Sequence, residues 1–197
     1  MSTPTALQHE HYYHIFNRGN NRETLFRQER NYDYFLNLYA KHVYPVADTF
    51  AYCLLPNHFH FAIRIKPESD IAKVLRKRNP DKSLDPGQNL GNLFNAYTKA
   101  VNKTYGRTGS LFEKPFHRKL ITDDDYFWRL ILYIHFNPQK HGLIDDFRLW
   151  PFSSYPALIS NQPTRLKREA VLFTFGGCEN FIQQHDEYQP GEFDQEF

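Results

Sequence analysis

At 197 residues the chain is long enough for one compact domain with a short extension, and it offers no length for several. The formal net charge of +2 excludes a uniformly polycationic protein, but the average hides a division: residues 58–120 hold 13 Lys and Arg against 5 Asp and Glu, net +8, whereas residues 179–197 hold 6 acids and no Lys or Arg. No apolar run approaches the ~18 residues of a membrane span, the start MSTPTALQHEH lacks the layout of a signal peptide, and two distant cysteines, Cys53 and Cys178, make no disulfide framework, so a soluble, unexported protein of a reducing cytosol is expected.

Residues 12–18 (YYHIFNR) are rich in strand formers, and the GNNRE after them supplies turn chemistry before a helix over about 30–43 that sets Phe35, Tyr39 and Val43 roughly in register. Residues 47–55 and 58–66 predict two strands joined tightly at Pro56-Asn57, a β-hairpin, because Pro fixes φ and Asn tolerates turn conformations. A short basic helix follows over 70–78, then a polar loop, NPDKSLDPGQ. Residues 90–105 place Leu90, Leu93, Phe94, Tyr97, Val101 and Tyr105 at helical spacing, and Gly106 ends that helix. Residues 116–121 predict a further strand. Thr122 or Asp123 then caps a helix with acids in its first turn, which Pro138 is expected to terminate.

The order β-α-β-β-α-β-α suits an α+β fold: a ferredoxin-like (split βαβ) antiparallel sheet with helices packed on it. Residues 1–157 read as the domain and 158–197 as a C-terminal extension, in which VLFTFGG packs on the domain and the acidic last residues form a solvated tail.

On the strand 58–66 alternate side chains share a face, so Phe59, Phe61, Ile63 and Ile65 form an apolar side while His58, His60, Ala62, Arg64 and Lys66 form the other. Two imidazoles projecting the same way from a stiff support suit a bidentate metal clip; the alternative is a pair of solvent-facing histidines. On the helix before Pro138, Tyr133 and Asn137 stand four residues apart on one face, where their polar tips can converge. The alternative makes Tyr126, Leu130 and Tyr133 a core stripe and Asn137 simply the residue before a proline.

These elements together resemble the HUH single-strand nucleases, and within them the single-tyrosine proteins called REP-associated tyrosine transposases. The resemblance is carried in order by YHIFNRGNNRETLF (13–26), LLPNHFHFAI (54–63), GSLFEKPFHRKLI (109–121), YIHFNPQKHGLI (133–144) and WPFSSY (150–155). It implies that His58 and His60 bind a divalent metal, Mg²⁺ or Mn²⁺, that Asn137 completes the protein's ligands, and that Tyr133 is the nucleophile. It further implies attachment of the enzyme to a 5′ phosphate with release of a 3′ hydroxyl, next to a DNA hairpin, in a bacterial cytoplasm with nucleoid DNA as substrate. A phosphotyrosine stores the broken bond, so a DNA hydroxyl can rejoin strands without ATP.

Basic candidates for contact with single-stranded or hairpin DNA are Arg18, Arg22, Arg64, Lys66, Lys99, Lys103, Arg107, Lys114, Arg118 and Lys119. His135, two residues from Tyr133, should project to another side of the helix, and neither it nor His141 is assigned to the site. A monomer is expected over a homodimer. Two rival readings use the same residues: a non-catalytic single-strand-binding module needs neither metal nor Tyr133, and a metal-dependent phosphodiesterase attacking with water needs the histidines but not the tyrosine.

Overall fold

The computed structural model describes residues 6–78, 83–189 and 191. Strand β1 (Tyr12–Arg18) leads through a 3-10 turn at Asn20–Arg22 into helix α1 (Glu29–His42), and β2 (Ala47–Leu55) and β3 (His58–Ile65) follow as the expected hairpin. Then come α2 (Glu68–Arg78), α3 (Pro86–Tyr105), β4 (His117–Leu120) and α4 (Asp124–Lys140). Three shorter helices, α5 (Tyr155–Ile159), α6 (Arg168–Thr174) and α7 (Cys178–Glu187), complete the described chain.

The four strands form one sheet in the order β2-β3-β1-β4, and each neighbouring pair is antiparallel. This is the ferredoxin-like arrangement expected from the order of elements. The register sets Arg18 opposite His58, and Phe16 opposite both His60 and His117. The outer edge of β2 is covered, because Leu54 N–H donates to Phe152 O, Ser154 N–H to Tyr52 O and Lys167 N–H to Thr49 O, each at 2.9 Å. At the other end of the sheet no further strand follows β4 among the described residues.

Local chemistry explains the boundaries. Asp85 accepts a hydrogen bond from Gly87 N–H and Pro86 occupies the first turn of α3, so this helix starts earlier than the apolar spacing alone predicts. Gly106, at φ 60°, ends it. Asp123 caps α4 by accepting from Tyr126 N–H at 2.7 Å. Contrary to expectation, Pro138 does not end α4, which runs on to Lys140. Proline lacks an N–H and crowds the preceding turn, but this close to the helix end the chain is already leaving the ladder: Leu143 N–H turns back to Pro138 O and Gly142 adopts φ 63°.

Two cores flank the sheet. Helices α1 and α3 cover one face, where Phe35, Phe59, Phe61 and Tyr97 are almost fully buried. Helix α4 covers the other, and Leu130, Ile134, Tyr155 and Phe181 pack there with Cys53 and Ala62. The polar side of β3 is therefore roofed by a helix instead of facing solvent. The C-terminal helices join this second core through Val171, Phe175 and Phe181, and residues 179–187 of the acidic stretch are helical. The last acids, in 192–197, lie outside the described residues. No helix among the described residues is long and apolar enough to cross a membrane.

Candidate active site

The covered polar face holds an open cavity of about 560 Å³ whose walls include His58 and His60 from β3, Arg18 from β1, Arg22 from the turn after it, and Tyr133 and His141 from the end of α4. The sheet fixes the histidines and α4 brings the tyrosine over them. The Tyr133 ring stands 5.4 Å from that of His60 at 85°, and 6.3 Å from that of His14 at 78°. Lys140 places its ammonium 4.9 Å from the Tyr133 ring centre, a cation–π contact that also sets positive charge beside the phenol.

The imidazoles are oriented by neighbours. His58 Nδ1–H donates to Asn57 Oδ1 at 2.7 Å, which leaves its Nε2 lone pair unengaged by that bond. His60 Nδ1 shares a proton with His14 Nε2 at 2.9 Å. With that proton on His60, its Nε2 is likewise an acceptor. Burial pushes His58 down to about 4, helped by His141 and Arg18. Burial likewise pushes His60 well below the ordinary range and His14 down to about 3. All three are thus neutral near pH 7, the form that can ligate a cation.

These residues fit a divalent metal in a limited way. Two imidazoles carry available nitrogens, each steadied by a partner on its other nitrogen, as metal-binding histidines usually are. Asn137 is fully buried; its Nδ2 donates to Tyr133 O at 2.8 Å and its Oδ1 has no hydrogen-bond partner, so this oxygen suits a ligand's role chemically. Asn137 does not, however, line the cavity, and among the described residues no group of three or more His, Cys, Asp or Glu is set to hold a metal. The donor set is two imidazoles and at most one amide oxygen, which leaves most of a coordination sphere to substrate and water.

Sequence reasoning named His141 but left it out of the site, and passed over His14. His141 lines the cavity, its ring 4.9 Å from that of His58. It lies eight residues beyond Tyr133 and four beyond Asn137, so extending the same helical face by one turn would have found it. His14 became visible only once β1 was known to pair with β3. His135 does point elsewhere, as expected: its Nδ1 meets His185 Nε2 and its Nε2 meets Ser154 Oγ, both at 2.8 Å.

Of the ten basic candidates, only Arg18 and Arg22 line the cavity. Arg18 is paired with Glu113 at 2.7 Å, Arg64 with Glu10 at 3.2 Å, Lys66 with Asp48 at 3.7 Å and Arg107 with Glu23 at 2.6 Å. Arg118 lies over Phe116 and Lys119 over Tyr126. Lys99 and Lys103 belong to α3 on the opposite side of the sheet, and Lys114 precedes a cis proline in the loop before β4.

The fold and site define a ferredoxin-like sheet bearing a histidine pair beneath a helix-borne tyrosine. No family model matches the chain. It is 30% identical over 108 residues to a Haemophilus influenzae protein assigned by name to the REP-associated tyrosine transposases, a match spanning 55% of this chain and 58% of that protein. Its fold is shared with a solved structure of a REP-associated tyrosine transposase bound to a REP hairpin, with a TM-score of 0.61, 16% sequence identity, and coverage of 83% of this chain and 88% of that one. In sequence and in fold, then, the chain is similar to REP-associated tyrosine transposases.

Proposed function

We propose that the protein is a metal-dependent endonuclease and strand transferase for single-stranded DNA, a tyrosine transposase in chemistry, acting at hairpin-containing repeats through a 5′-phosphotyrosine intermediate. The observation that carries this reading is the convergence of Tyr133 on the histidine pair in one cavity. The similarity in sequence to a protein named as a REP-associated tyrosine transposase, and in fold to one bound to a REP hairpin, supports hairpin DNA as the partner.

In this account Arg18 and Arg22 draw the DNA backbone to the mouth of the cavity. His58 and His60 would hold a Mg²⁺ or Mn²⁺ ion, joined by Asn137 Oδ1 only if that side chain turns toward the cavity, and the ion when bound neutralises charge on the scissile phosphate. Tyr133 Oη loses its proton to solvent in the open cavity and attacks phosphorus. The bond from phosphorus to the 3′ oxygen breaks, and that oxygen leaves with a proton as a free hydroxyl. Lys140, its ammonium 4.9 Å from the ring centre, holds the Tyr133 ring in place and adds positive charge near the phosphate. A 3′ hydroxyl of another strand reverses the exchange and frees the tyrosine, so cleavage and joining share one covalent state.

The test is incubation with hairpin-bearing single-stranded DNA, labelled at its 3′ end, with Mn²⁺ or Mg²⁺, followed by a denaturing gel. A protein–DNA adduct absent from Tyr133→Phe and His58→Ala supports the reading. Cleavage that survives Tyr133→Phe without an adduct assigns the attack to water, and binding without cleavage leaves a non-catalytic module.

A further inference from the structure

Three rings lie side by side across the sheet. Phe16 pairs directly with His60 on one side and His117 on the other, so the three side chains emerge from one face in a single row. Their planes are nearly parallel: 22° between Phe16 and His60 at 5.9 Å, and 10° between Phe16 and His117 at 4.9 Å. These separations follow from the ~4.8 Å spacing of paired strands, so the sheet itself builds the column.

The two ends of the row differ. His60 is 4% exposed beneath α4, whereas the His117 side chain is 51% exposed on the terminal strand β4. Among the described residues the His117 ring is met by Phe16 face-on and by Glu113 at 3.8 Å. Both Phe16 and His117 border the same cavity as the histidine pair.

We propose that this row is a stacking platform: a nucleobase of the bound strand seats on the outer face of His117 and continues the His60–Phe16–His117 column. The inference rests on the single-stranded DNA reading above and adds a base-binding subsite to it. Every nucleobase has a π-face, and exposed rings on a sheet surface hold single strands in this way without reading their sequence. Arg18 and Arg22 on the same cavity supply charge for the backbone. His117 sits two strands from His60, about 10 Å by strand spacing, so the seated base belongs to a nucleotide close to the attacked phosphate. The platform thereby fixes which phosphate reaches Tyr133.

The experiment measures binding of short single-stranded DNA to the full chain at fixed salt, with an abasic position walked along the oligonucleotide. His117→Ala weakens binding of intact DNA roughly tenfold, as loss of one stacked base should, and His117→Phe restores it because the ring matters and its charge does not. At one abasic position the wild type loses the same factor and His117→Ala loses nothing more. Equal weakening in His117→Phe and His117→Ala overturns the platform, as does additive loss at every abasic position. Tight binding with His117→Ala unaffected removes the platform and leaves the wider DNA reading standing; a wild type that binds no single-stranded DNA removes both.

Discussion

Lowering the pH from 7.5 to 5.5 destabilises this fold, because several histidines are buried in their neutral form. Burial holds His14 at about 3, and His58 and His185 at about 4, against 6.5 in an unfolded chain. The folded values are depressed, so below pH 6.5 the unfolded chain takes up protons that the folded one refuses. Stability is therefore full above that pH and declines as the pH falls toward the folded values. One unit below the unfolded value each group contributes about 1.3 kcal/mol of loss, and three give about 4 kcal/mol. Burial pushes His60 and His135 the same way, which adds loss of the same sign. Against a total stability of ~5–15 kcal/mol this is a large fraction. Urea unfolding at both pH values in the presence of a chelator reads it directly. Equal stability at the two values, or greater stability at pH 5.5, would refute the placement of these rings in dry surroundings.

Other consequences follow from single contacts. Tyr133→Phe keeps the packed ring, so its unfolding free energy should stay within about 1 kcal/mol of wild type and DNA binding should persist; a large loss of stability would make Tyr133 chiefly a core residue. His185→Ala leaves His135 Nδ1 without its 2.8 Å partner and opens space beside Phe181, a cost of roughly 3 kcal/mol in urea unfolding; a change under about 1 kcal/mol would mean the C-terminal helix is dispensable. Gly19→Ala would set a Cβ 2.0 Å from Glu23 O, so the turn behind Arg22 must shift, at a cost of at least about 2 kcal/mol; a neutral effect on Tm would show this turn to be plastic. In calorimetry with Mn²⁺, His58→Ala and His60→Ala should weaken binding at least about 100-fold while His141→Ala changes it little; equal losses in all three would make His141 a ligand.

Much of this architecture was legible from side-chain periodicity and turn chemistry. Pro56-Asn57 marked the hairpin, Leu90 through Tyr105 marked the long helix, and the HFHFAI alternation separated Phe59 and Phe61 from His58 and His60. Burial of the polar face was hidden, because a strand covered on both sides by different elements shows no sign of the second cover in its own pattern: Ala62 is as buried as Ile63. The end of α4 was misjudged because Pro138 reads as a stop, and His141, one turn past Asn137, was set aside although it lines the cavity. Contacts such as His14 with His60 and His135 with His185 join residues 46 and 50 positions apart, and no local spacing announces them. Asn137 was placed beside the tyrosine by spacing, and its amide does reach Tyr133, but through the backbone oxygen and away from the cavity wall.

The proposed activity requires Tyr133 to become covalently linked to DNA. The most direct measurement is mass spectrometry of the protein after reaction with hairpin-bearing single-stranded DNA and Mn²⁺, with nuclease trimming and proteolysis before analysis. The expected result is a nucleotide joined through its 5′ phosphate to the peptide containing Tyr133, and its loss when an excess of strand with a free 3′ hydroxyl is added. Cleaved DNA with an unmodified Tyr133 peptide, or a nucleotide on a different residue, would contradict it.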